Sequence, residues 1–60
     1  MDRIVVYKAA DGWRWKREAS GNYREIAESG EAYEAKADAE EAAARQAVGE
    51  DVEIVVEEPE

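Results

Sequence analysis

The 60-residue sequence contains no cysteine, no histidine, no leucine and no phenylalanine. Without cysteine the chain has no disulfide and no thiolate nucleophile, and without histidine it has no imidazole base. The lack of both residue types also excludes a zinc site built from Cys and His ligands. No apolar run approaches the ~20 residues of a membrane-spanning helix, and the N-terminus does not resemble a signal peptide. We therefore expect a cytoplasmic protein with no membrane segment.

Large apolar side chains are few. Alanine supplies 12 of the 27 apolar residues, and the larger groups are six valines, three isoleucines, two tryptophans, three tyrosines and one methionine. So short a chain forms one domain, residues 1–60, with a small core. Small domains compensate with disulfides, a structural metal or oligomerisation. Since the sequence excludes disulfides and lacks the usual metal ligands, it predicts a homo-oligomer.

The order of apolar, polar and turn residues predicts four strands and one helix. Residues 3–9 are rich in β-branched side chains, and an Asp-Gly turn separates them from 13–19, which alternate strictly and place Trp13 and Trp15 on one face. Residues 23–29 form a third strand. Residues 34–48 are strong helix formers with a poor N-cap, and Gly49 suits the C-cap. Residues 51–57 form the last strand, and 57–60 form a flexible acidic tail.

These elements predict an α+β fold of order β-β-β-α-β, in which a small antiparallel sheet carries one helix on one face. Ile4 and Val6 then point to one side of the first strand, and Val5 and Tyr7 point to the other. In the last strand Val55 faces away from its apolar neighbours. Because a single helix covers only one side of a sheet, a second copy of the chain is expected to cover the other. The predicted dimer interface contains Val5, Tyr7 and Val55.

Several short segments together resemble one family of small domains. They are Tyr7-Lys8 at the end of the first strand, Asp11 to Trp15, Gly21-Asn22, Ile26 to Ser29, and the glycine, tyrosine and lysine at 30, 33 and 36. In this order they resemble the YegP-like domains. The resemblance implies one β-β-β-α-β unit, used as a tandem repeat or as a homodimer, and it implies no activity. The chain departs from the family pattern in having Glu34 and Ala35 before the lysine, and alanines on the inner helix face.

The charge is strongly acidic, with 8 basic and 16 acidic side chains and a net charge of −8. Such a composition resembles that of haloarchaeal proteins. At molar salt the Debye length falls to about 3 Å, which screens repulsion between carboxylates. At low salt the same charge destabilises the compact state. The other interpretation is an acidic surface that binds a basic protein partner.

The basic residues are concentrated at the start of the chain. Residues 1–24 carry six basic and three acidic side chains, whereas residues 25–60 carry two basic and thirteen acidic ones. The hairpin of residues 7–17 combines tryptophans with basic side chains, as do surfaces that bind single-stranded nucleic acid. The contacts would be Lys8, Arg14, Lys16 and Arg17. Both tryptophans lie on the strand face opposite Arg14 and Lys16, so we expect the indoles to be core residues. We therefore favour a non-enzymatic, homodimeric interaction module, with RNA binding as the alternative.

No constellation of residues indicates an enzyme or a cofactor. Adjacent carboxylates occur at 40–41, 50–51 and 57–58, which is the minimum for glycosidase-type chemistry or for a divalent cation. Their spacing matches no known loop site, and adjacent pairs are expected by chance among 16 acids. The serines have no histidine to activate them, and the four glycines are too scattered to form a phosphate loop. We therefore predict no catalytic residue, no metal and no cofactor.

Overall fold

Three strands, one helix and a final strand follow one another in the computed structural model, which describes residues 1–58. The elements are β1 (Arg3–Ala9), β2 (Gly12–Glu18), β3 (Glu25–Glu28), α1 (Lys36–Ala47) and β4 (Glu53–Val56). The α+β class and the predicted element order are confirmed. β1 has the predicted bounds, whereas β3, α1 and β4 are each shorter than the sequence pattern indicates.

The four strands form one mixed sheet in the order β3-β2-β1-β4. The pairs β1–β2 and β2–β3 are antiparallel, but β4 runs parallel to β1. The prediction of a wholly antiparallel sheet is therefore wrong at β4. The physical reason is that α1 returns the chain along the sheet, so β4 starts at the same end as β1 and completes a crossover connection. In this register Ile4 lies beside Ile54, and Val5 lies beside Val55.

The core lies between one sheet face and α1. Its buried members are Ile4, Val6, Trp15, Ala39, Ala42 and Ala43. The helix contributes only alanines to this group, and small side chains let its backbone approach the sheet closely. Trp15 and the two β1 residues are the large side chains of this group. The alanines expected on the inner face of the helix are confirmed at Ala39, Ala42 and Ala43, while Ala35, just before the helix, is exposed.

The ends of α1 follow the expected capping pattern. Ala35 stands at the N-cap in an extended conformation and makes no side-chain capping hydrogen bond. Val48 ends the helix, and Gly49 follows with φ +77°, the left-handed conformation that glycine adopts without steric cost. The extended backbone at Ala35 explains why the helix begins at Lys36, two residues later than the sequence pattern predicts.

Backbone and side-chain contacts tie the first residues of the predicted acidic tail to the domain. The Glu57 amide donates a hydrogen bond of 2.8 Å to the Val6 carbonyl, which extends the β1–β4 pairing by one residue. The Glu58 carboxylate pairs with the Lys36 ammonium. Residues 59–60 of the predicted tail lie outside the described residues.

Candidate interaction surface

The sheet face opposite α1, here called the open face, carries the three residues predicted at a dimer interface. Strand alternation and the pairing register place eight side chains of β1, β2 and β4 on it. They are Arg3, Val5, Tyr7, Arg14, Lys16, Glu18, Glu53 and Val55. The open face thus has an apolar centre, with basic groups on β1 and β2 and acidic groups on β2 and β4.

The centre of the open face is partly covered within a single chain. Val5 is only 2% exposed, although α1 lies on the other side of the sheet. Its direct cross-strand neighbours are Lys16 and Val55, and a lysine stem covers apolar surface while its ammonium stays in water. The Lys16 ammonium lies 5.2 Å from the centre of the Tyr7 ring. Val5 therefore has little area left for a partner, and the accessible apolar area here belongs to Tyr7 and Val55, which are half-buried.

At one end of the open face, Arg3 lies between the Glu18 carboxylate and the Tyr23 ring. The Arg3 Nε lies 2.6 Å from a Glu18 carboxylate oxygen, and its guanidinium lies 3.8 Å from the centre of the Tyr23 ring. Tyr23 reaches this position with φ +55°, a left-handed conformation that is uncommon outside glycine. The hydrogen bond that Arg3 donates to the Glu18 carboxylate raises the pKa of Arg3.

Most basic groups of the hairpin are already paired with acids of the same chain. Arg14 donates two hydrogen bonds to the Asp11 carboxylate, at 3.1 and 2.6 Å. Lys16 lies 4.0 Å from Glu18 in addition to its contact with Tyr7. Of the four predicted nucleic-acid contacts, Lys8 alone has no carboxylate within 4.0 Å among residues 1–58. A phosphate backbone would have to compete with these internal acids for the other three.

Arg17 is the centre of an ion-pair network with two acids. Its guanidinium donates to Asp2 at 3.2 and 2.9 Å and to both carboxylate oxygens of Glu50 at 3.2 and 2.8 Å. The Ser20 amide donates to Asp2 at 3.0 Å. The amide of Ser20 and the Arg17 guanidinium together lower the pKa of Asp2, and Arg17 lowers the pKa of Glu50. The network joins the N-terminus, the end of β2 and the segment between α1 and β4.

Both tryptophans belong to the core side of the sheet. Trp15 is 8% exposed and is a member of the buried cluster. Trp13 packs against that cluster, and its backbone exchanges hydrogen bonds of 2.7 and 2.8 Å with Tyr33. The prediction that both indoles lie on the core face is confirmed, with Trp15 buried in the core and Trp13 half-buried against it. The hairpin therefore does not present them as a platform on which bases could stack.

Ser29 has a structural role that the sequence pattern did not indicate. It is 4% exposed, its amide donates to the Trp15 carbonyl at 2.8 Å, and its hydroxyl accepts a hydrogen bond from the Trp15 amide at 3.3 Å. These bonds fix the end of β3 to the middle of β2. The available signal was a small hydroxyl residue at the end of a strand opposite a core tryptophan, and it is too common to be specific.

Each of the three adjacent carboxylate pairs has a member that forms an ion pair with a base. Glu41 lies 2.6 Å from Arg45, Glu50 binds Arg17, and Glu58 binds Lys36. Within residues 1–58 no group of three or more acidic side chains is arranged to hold a metal ion, and no cavity is found. In the same part of the chain, no helix is both long and apolar enough to span a membrane.

Comparison of the chain with protein-family models, with curated proteins and with solved structures gives no match. The resemblance to the YegP-like domains stays a prediction.

Proposed function

We propose that the chain is a non-enzymatic, homodimeric interaction module of a salt-rich cytoplasm, and that it pairs through the open face. The observation that carries this proposal is the pattern of that face. Tyr7 and Val55 expose part of their apolar surface there, among basic and acidic side chains of β1, β2 and β4. A surface that carries both signs of charge around an apolar centre can be complementary to itself, which a twofold dimer requires.

The size of the core supports the same proposal. Among residues 1–58, only Ile4 and Val6 are large side chains with no exposed surface, so a single chain buries little apolar area for its length. A partner that covers Tyr7 and Val55 would add apolar burial at about 25 cal/mol per Å². The net charge of −8 per chain opposes association at low ionic strength. A salt-rich cytoplasm would screen this repulsion and allow two chains to pair.

Light scattering of two glutamate variants of β4 in molar KCl tests the proposal. Val55→Glu places a charge in the open face and should convert the dimer to a monomer. Ile54→Glu is the matched control, because this substitution adds the same charge to the same strand. Ile54 lies on the opposite side of that strand and is 40% exposed. The control should keep the dimer mass. A dimer that survives Val55→Glu with unchanged affinity would refute pairing through the open face.

A further inference from the structure

The strand β4 lies at one edge of the sheet, with β1 as its one neighbouring strand among residues 1–58. The Glu53 and Glu57 amides both point to the β1 side, where they donate hydrogen bonds of 3.1 and 2.8 Å. Backbone groups alternate along a strand, so the amides and carbonyls of Ile54 and Val56 point away from β1. Such a row of outward donors and acceptors is a template on which another strand can pair.

The other edge of the sheet, β3, is less suited to a further strand. Its pairing with β2 shifts between Arg17 and Glu18, so that Glu25 rather than Ile26 lies opposite Glu18. A bulge of this kind bends and twists an edge strand, which discourages further pairing. By contrast, β4 keeps an unbroken register with β1 over all four of its residues, and it contains no proline or glycine. β4 is therefore the edge that can accept a strand.

The side of β4 that faces α1 leaves apolar surface exposed next to this edge. Ile54 lies beside Ile4 in the register, so both side chains point to the same side of the sheet. Ile4 is fully buried, whereas Ile54 is 40% exposed, because α1 packs mainly against β1 and β2. A strand added to β4 would cover Ile54 with a cross-strand neighbour.

The charges along β4 favour a basic strand. From residue 50 to residue 58 the chain carries five acidic side chains and no basic one. Glu53 and Glu57 form no ion pair with any of residues 1–58. Arg3 lies directly across β1 from Glu53, but its Nε lies 2.6 Å from a Glu18 carboxylate oxygen instead. Both acids are therefore available to bases of a neighbouring strand.

A second copy of the chain does not supply such a strand. Its sheet offers two edges, β3 and β4, and each carries glutamates and no base. Pairing of β4 with β4 places Glu53 or Glu57 of one copy opposite or diagonal to an acid of the other. Like charges on neighbouring strands are unfavourable, so the acidic edges act against edge-to-edge pairing of copies while they attract a basic segment.

We infer that the outer edge of β4 binds an extended, basic segment of a partner protein by strand addition. Side chains on neighbouring strands lie about 5 Å apart, so the segment carries Lys or Arg opposite Glu53 and Glu57. It carries β-branched apolar residues opposite Ile54 and Val56. Backbone hydrogen bonds supply the affinity, and the alternate side chains select the segment. The open face stays accessible, so a homodimer can bind one segment per chain.

The peptide Lys-Val-Thr-Val-Lys, acetylated and amidated, tests the inference. It reads the same in both directions, so its lysines match the two glutamates whether it pairs parallel or antiparallel. It is added to the isotope-labelled chain at the lowest KCl concentration at which circular dichroism shows a folded chain, because molar salt screens ion pairs. The peptide should shift the NMR signals of the Ile54 and Val56 amides and slow their hydrogen exchange. The Glu28 amide, exposed on β3, is the internal control and should not change.

A second peptide and two variants give the comparison its controls. Gln-Val-Thr-Val-Gln should bind up to about 25-fold more weakly, because each of two exposed ion pairs changes affinity up to about fivefold. Ile54→Pro removes an outward amide, which an edge strand tolerates, and should abolish binding. Ile54→Thr keeps that amide and should retain most of the affinity. If Ile54→Pro is unfolded, the double variant Glu53→Lys and Glu57→Lys should prefer Glu-Val-Thr-Val-Glu to the lysine peptide.

Three results would overturn the inference. They are equal binding of the lysine and glutamine peptides, signal shifts that leave Ile54 and Val56 unchanged, and protection of these amides that rises with chain concentration without peptide. The last result would assign the edge to a second copy. A chain that binds the peptide as a monomer would instead refute the proposed homodimer and leave this inference standing.

Discussion

Replacing Gly12 by alanine should be the most damaging small substitution in the hairpin. Gly12 has φ +139°, and a Cβ at this position would lie 2.7 Å from the Tyr33 carbonyl oxygen and 3.2 Å from the Ala32 Cβ. The same carbonyl accepts the hydrogen bond from the Trp13 amide. The variant must therefore strain its own backbone and also displace the segment that joins β3 to α1.

Two other glycines allow the two costs to be separated. Gly21 has φ +94° with open space around its Cβ position, and Gly30 has open space and no positive φ. Backbone strain costs on the order of 1–3 kcal/mol, and forced repacking costs about 1–3 kcal/mol more. We expect Gly12→Ala to lose about 2–6 kcal/mol and Gly21→Ala about 1–3 kcal/mol. Gly30→Ala should gain about 0.4–1 kcal/mol because alanine restricts the unfolded chain.

Urea unfolding in molar KCl, followed by circular dichroism at one fixed chain concentration, measures all three variants. A domain of this length has a total stability of about 3–9 kcal/mol, so Gly12→Ala should leave the chain marginally folded or unfolded. The concentration must be fixed because dimerisation contributes to the apparent stability. Equal unfolding free energies for Gly12→Ala and Gly21→Ala would refute the close approach of Tyr33 to the turn.

Three further predictions concern the charges and the tryptophans. Urea unfolding at a series of pH values compares the wild type with Asp2→Asn. The wild type should have the larger unfolding free energy above the ordinary Asp pKa of 3.8, and the difference should disappear as the pH falls through the lowered pKa of Asp2 in the folded state. A difference that does not depend on pH would contradict the role of the Asp2 charge. Tryptophan fluorescence should be blue-shifted and unchanged by single-stranded RNA, because Trp15 is 8% exposed, and quenching by RNA would favour the hairpin as a nucleic-acid site. Circular dichroism should show weaker secondary structure as KCl is removed, and a spectrum and melting temperature independent of KCl would contradict the salt argument.

The elements of this fold could be predicted from local patterns because those patterns are strong. The strict alternation around Trp13 and Trp15 and the alanine-rich segment before Gly49 each have one obvious secondary structure. The direction of β4 could not be predicted in the same way. Its residues, Ile54 among them, have the same alternation in a parallel or an antiparallel pair. The direction of β4 depends on the end of the sheet to which α1 brings the chain.

The open face shows a different limit of sequence reasoning. Strand alternation correctly put Val5 opposite the core, but it could not show that neighbouring side chains such as Lys16 would bury it within one chain. Counts of charged residues likewise could not show which acidic side chain forms an ion pair with which basic one. Arg17 binds Asp2 and Glu50, which are 15 and 33 residues away in sequence. Such contacts depend on side-chain length and three-dimensional position rather than on local pattern.

Sedimentation equilibrium of the unmodified chain in molar KCl, at micromolar concentration, tests the central claim most directly. A chain of 6.7 kDa that pairs through its open face should give twice that mass, and the dimer should dissociate as KCl is lowered. A folded species that keeps the mass of one chain throughout would contradict the proposed association.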